Sequence, residues 1–179
     1  MKSLPKFVVP LLLLLLTTCS RDQRESLFEI TYDPIEFTFP TGLASVESFV
    51  VSRNPVESRF DQAIASANVN LDQVDEVGGL FARLTALSAD DFRQLRRAEL
   101  RICPVGQAQG CTEFDLLFSV DDLFGRRDQV IRLNPSLRNF KELVSSGQFQ
   151  FELVLRPGER TSTNIQCRLE WGIRGVGVD

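Results

Sequence analysis

After residue 27 apolar and polar positions alternate along most of the chain, the period of strands that bury one face. Phe28, Ile30 and Tyr32 alternate with polar partners, Asp33-Pro34 interrupts, and Ile35, Phe37 and Phe39 resume the pattern until Pro40. This predicts two short strands or one kinked edge strand, with Pro34 confined to the break because it cannot donate to a ladder. Residues 46–52 fit either a strand packed on both faces or a helical turn. Beyond Asn54-Pro55, the spacing of Phe60, Ile64 and Ala67 predicts a short amphipathic helix. Residues 69–79 read as a connector anchored by Leu71, Val74 and Val77.

From residue 80 the alternation sharpens, with Leu80, Ala82, Leu84 and Ala86 on one face of a strand and Phe81, Arg83 and Thr85 on the other. Ser88, with Asp91 three residues on, resembles a capping box and predicts a helical turn over 90–95. A hairpin follows: Ala98, Leu100 and Ile102 oppose Arg97, Glu99, Arg101 and Cys103, and after a Pro- and Gly-containing loop Phe114, Leu116, Phe118 and Val120 alternate with polar residues. Residues 121–128 form a charged turn and 129–133 a short strand. Asn134-Pro135-Ser136 reads as the start of a helix striped by Leu137, Phe140, Leu143 and Val144, with Gly147 at its C′ position. Phe149, Phe151, Leu153 and Leu155 mark the next strand, and Ile165, Cys167, Leu169, Trp171 and Ile173 the last. Gly172, Gly175 and Gly177 make the end of the chain read as a flexible, edge-like segment.

The expected fold is therefore all-β: an antiparallel β-sandwich, immunoglobulin-like or jelly-roll-like, with one or two short helices. A small barrel or an α+β fold stays open while 46–79 is undecided.

Parity also sorts the cysteines. Cys103 and Cys111 share the polar face of the hairpin and bracket a loop short enough to bring them together, which predicts a disulfide. Cys167 has the parity of Leu169 and Trp171 and reads as a buried thiol. The rival, a bridge from Cys167 to one of the loop cysteines, runs against that parity.

The leader decides where such a disulfide could form. Lys2 and Lys6 precede the apolar run 7–16, Leu16-Thr17-Thr18-Cys19 closes it, and polar residues follow at once. That is the layout of a secretory signal, with a run about half of the ~20 residues needed to span a bilayer. Leu16-Thr17-Thr18-Cys19 resembles the lipobox of bacterial lipoproteins, with Thr18 where Gly, Ala or Ser is usual. The resemblance implies removal of residues 1–18 and acylation of Cys19, whose two or three chains would anchor the protein durably. Ser20 fits sorting to the outer membrane. Residues 19–26 then form a tether and 27–179 a single domain. In general layout the body is similar to small uncharacterised envelope lipoproteins of Gram-negative, Bacteroidetes-like bacteria, a likeness that implies no activity.

Composition narrows the chemistry. There is no histidine, which removes the commonest general base and zinc ligand. The formal charge is −4 and becomes more negative once Lys2 and Lys6 leave with the leader, so nucleic acid is not an expected partner. Asp90-Asp91 and Asp121-Asp122 are paired carboxylates near strand ends. Without the spacing of a calcium loop they read as solvated turns rather than a metal site, and no cofactor is expected. Nor does sequence spacing reveal the separation of ~5 Å, or ~6.5 to 9.5 Å, that glycoside hydrolysis requires. Arg97 and Arg101, with Arg93, Arg96, Arg126 and Arg127, make either a basic patch for an anionic glycan or lipid headgroup or, with the interleaved acids, a salt-bridged surface. Trp171 would stack on a sugar only if exposed, and its parity places it in the core.

The leading expectation is a lipid-anchored, non-catalytic protein that binds or supports another envelope component, with an envelope protein as partner. A carbohydrate-binding or adhesive module is the second reading and a carboxylate-dependent hydrolase the third. Candidate binding residues are Asp90, Asp91, Asp121, Asp122, Arg97 and Arg101.

Overall fold

The computed structural model describes residues 25–88 and 90–177. The expected leader, Cys19 and most of the expected tether lie outside them. Nine strands run in chain order: β1 (Ser26–Thr31), β2 (Ile35–Phe39), β3 (Phe49–Glu57), β4 (Val74–Ala86), β5 (Leu95–Cys103), β6 (Leu116–Val120), β7 (Val130–Pro135), β8 (Gln148–Pro157) and β9 (Ile165–Gly177). Two short helices interrupt them, α1 (Phe60–Ala67) and α2 (Lys141–Ser145). All strand pairs are antiparallel, in the order β1-β9-β4-β7-β6-β5-β8-β3, with β2 also on β9. The fold is the expected antiparallel, sandwich-like one with short helices, built from one sheet curled into a half-barrel. Its two sides are joined through β6 and β7, where only Phe118 opposite Pro135 and Ser119 opposite Asn134 pair.

The inner faces fill with the residues that alternation assigned to them. Trp171 is 1% exposed; Tyr32 stacks on it at 4.0 Å between ring centroids, and Phe151 packs on it at 5.4 Å. Stacked and edge-on rings of this kind add to the stabilisation from burial alone. The Tyr32 hydroxyl donates to the Ser58 carbonyl at 2.9 Å, and Ser58 Oγ accepts the Phe60 N–H at the start of α1, tying β1 to the helix that closes one end of the half-barrel. Burial pushes the Tyr32 phenol well above its ordinary range. Cys103 and Cys111 form the disulfide. Cys167 is buried and free, and burial pushes its thiol up to about 12, so it is an inert core group.

Several expectations are corrected. Residues 69–79 are not all connector, because β4 begins at Val74. Its lower half pairs with β9 through register shifts at Val74/Glu76 and Gly79/Phe81, which disguise the period of two. No helix forms over 90–95: the Asp91 carboxylate accepts the Arg93 N–H two residues on, closing a turn instead. Asn134 and Pro135 belong to β7, and α2 starts only at Lys141, whose N–H is taken by Asn139. Gly147, at φ 89°, does follow the helix. A register shift in β6 opposite Leu100/Arg101 turns both Leu117 and Phe118 inward, while Phe114, expected on the apolar face, is 84% exposed in a tight turn. Finally, β9 is no edge: β1 and β2 flank one side and β4 the other. Its glycines serve close approach, since a Cβ at Gly175 would overlap the Phe28 ring.

Candidate functional site at the loop end

The strand registers define two ends. Ser26 lies opposite Val176 and Val74 opposite Gly177 at the end where the chain enters. At the other end β2, β4, β6 and β8 run into loops 40–48, 87–94, 121–129 and 158–164.

These loops are laced together. Thr161, 3% exposed, donates its N–H to Leu43 O and its hydroxyl to Pro40 O, and accepts the N–H groups of Gly42 and Leu43. Gln94 exchanges hydrogen bonds with Ser162 and accepts the Gly158 N–H on its carbonyl. Phe92 N–H donates to Asp128 O and Gly125 N–H to Arg93 O. Each polar loop thus satisfies its backbone on its neighbours, which holds the end in one arrangement.

Between them lies a recess of about 530 Å³, lined by Ser45–Ser48, Arg96, Arg97, Asp121, Asp122, Arg156 and Pro157. Three of the expected binding residues, Arg97, Asp121 and Asp122, meet there. Asp90 and Asp91 do not. Asp90 accepts the Ser88 hydroxyl, and Asp91 pairs with Arg93 at 2.8 Å. Burial pushes the Asp91 carboxyl up, but the hydrogen bonds and charge of Arg93, with the charge of Arg127, outweigh it and hold the group below its ordinary value.

Arg101 belongs to a second arrangement, a buried charge network on the outer face of β5. Glu99 is 0% exposed and bridges Arg97, at 2.5 Å, to Arg101. Arg97 also meets Asp121 at 2.9 Å, and Arg101 donates to Cys111 O at 3.2 Å. The disulfide-closed segment folds back over this face: Gly110 sits on Glu152, a built Cβ there falling 2.5 Å from the carboxylate. Asp115 is held nearby by Thr112 and Arg138; burial raises it, but these donors outweigh burial and keep it below its ordinary value. Of the face that the pattern marked as polar, Glu99, Arg101 and Cys103 are therefore buried, while Arg97 stays partly exposed at the recess.

Arg156 and the segment 45–48 were not anticipated. Arg156 stands opposite Arg97 across β5–β8, a juxtaposition that depends on pairing between distant segments. The run Arg97-x-Glu99-x-Arg101, with alternating signs on one face, was a readable signal for the network.

Among the described residues no three acids or cysteines gather as a metal site, and no helix is long and apolar enough to cross a membrane. Trp171 and Tyr32 stack on each other in the core and present no platform to a sugar. No protein-family model matches the chain, and no curated protein is significantly similar to it.

Proposed function

We propose that the protein is a lipid-anchored, non-catalytic component of the bacterial envelope that binds another envelope component at its loop end. The observation that carries this reading is the polarity of the fold. The chain enters the sheet at Ser26, at the end opposite the laced loops and their recess. Cys19 stands seven residues ahead of Ser26, a reach of about 25 Å when extended, so an anchor there leaves the loop end directed away from the membrane. Asp121 and Glu99 are committed to arginines, which favours positioning over proton transfer.

The anchor is tested by labelling cells with radioactive palmitate. Label and membrane fractionation are expected for the wild type and lost in Cys19→Ser; an unlabelled, soluble wild type overturns the anchor. The loop-end reading is tested by a photo-crosslinking residue placed at Ser48 or, for comparison, at Leu71 near the chain's entry. A discrete adduct from Ser48 in native membranes is expected. Adducts from Leu71 alone would move the binding face to the other end.

A further inference from the structure

We infer that the recess takes an acidic saccharide unit, a ligand joining one carboxylate to several hydroxyls, with Arg156 as the receiving cation. This rests on the loop-end reading and names the ligand class for it. Arg97 and Arg156 lie directly opposite each other on β5 and β8, where like charges repel. Arg97 is answered twice, by Glu99 at 2.5 Å and Asp121 at 2.9 Å. Arg156 is not. Its closest carboxylate, Glu113, stands at 4.0 Å without a hydrogen bond. The side chain is 38% exposed, and the planar fork of its guanidinium fits a carboxylate edge to edge. Arg96 lines the same recess and makes no ion pair among the described residues.

The rest of the lining selects what accompanies the carboxylate. Asp122 and Glu47 border the recess with the hydroxyls of Ser45 and Ser48. Two acids repel a second anionic group but accept hydrogen bonds from hydroxyls, so a polyphosphate or densely sulfated chain is disfavoured and a uronic acid fits. The volume is in the range of pockets that hold small ligands. Phe124, half exposed, lies over Gly158 next to the recess and offers a ring to the C–H face of a sugar.

The test is calorimetric titration of the full-length, detergent-solubilised protein with trigalacturonate, with neutral galactotriose as control. Trigalacturonate should bind, galactotriose should not compete, and added salt should weaken binding. Arg156→Gln should reduce affinity at least about tenfold, while Arg126→Gln, at an exposed arginine outside the lining, should leave it unchanged. If Arg156→Gln fails to fold by near-ultraviolet circular dichroism, Arg156→Lys, which keeps the charge and loses the fork, and Arg96→Gln should each weaken binding. Absence of binding by galacturonate and glucuronate oligomers, equal binding of the neutral trisaccharide, or unchanged affinity in the arginine variants overturns the inference. A crosslinked protein partner at Ser48 without saccharide binding sinks the saccharide and spares the loop-end reading; absence of any Ser48 adduct strikes at the loop-end reading itself.

Discussion

On the inner face of β5, Ala98, Leu100 and Ile102 are buried by the curl of the sheet, in a core to which every other strand contributes apolar residues. On its outer face Glu99, Arg101 and Cys103 are buried to nearly the same degree, with a short segment pinned by the disulfide closing on Arg101 through Cys111 O. The inner face stabilises by removing apolar surface from water and tolerates imprecise partners. The outer face removes charges from water, which is unfavourable unless every charge meets its partner. Over residues 98–103 the two faces of the strand, both hidden, should therefore fail in different ways.

The largest expected effect is on the inner face. Trp171→Ala empties the site against which Tyr32, Phe149 and Phe151 pack and should lose about 3–5 kcal/mol, read as a shifted midpoint of urea unfolding. A smaller loss would mean that the surrounding rings collapse into the space.

Next is the outer pair. Glu99→Leu leaves the Arg101 guanidinium buried without its carboxylate and should lose about 3 kcal/mol. The double variant Glu99→Leu with Arg101→Met should recover to within about 1 kcal/mol of wild type. A double variant as unstable as the single one would show that the pair matters through packing and not charge.

Replacing Cys103 and Cys111 by serine should lose about 2–3 kcal/mol, the chain-entropy expectation for so short a loop. It should also make Arg101, 7% exposed in the intact fold, open to modification by phenylglyoxal, whereas the buried thiol of Cys167 should stay unreactive. Continued protection of Arg101 would mean that Cys111 O and Gly110 cover it without the bridge.

The smallest effect is at the edge of the covering segment. The folded Asp115 carboxyl is held below its ordinary value, so its contribution is present above the unfolded value of about 3.9 and is lost as pH falls through the folded one. Acid unfolding should be shallower in Asp115→Asn than in wild type below about pH 4, and identical slopes would dissociate Asp115 from the acid sensitivity.

Alternation by itself determined which residues share a face. It assigned the Trp171 parity to the core, paired Cys103 with Cys111 and left Cys167 alone, because the side-chain period of a strand is local and fixed by backbone geometry. It failed where the ladder itself slips: the register shifts of β4 and β6 insert residues that break the period, and Val74–Gly79 then looks like a connector. Parity also cannot say what lies over a face. That Glu99 is buried, that β9 is central despite its glycines, and that Arg156 faces Arg97 beside loops 45–48 and 121–122 all depend on pairing between segments far apart in the chain. Only the tertiary structure decided them, because coverage and register are set by long-range packing, while the sequence encodes directly only each residue's nearest neighbours.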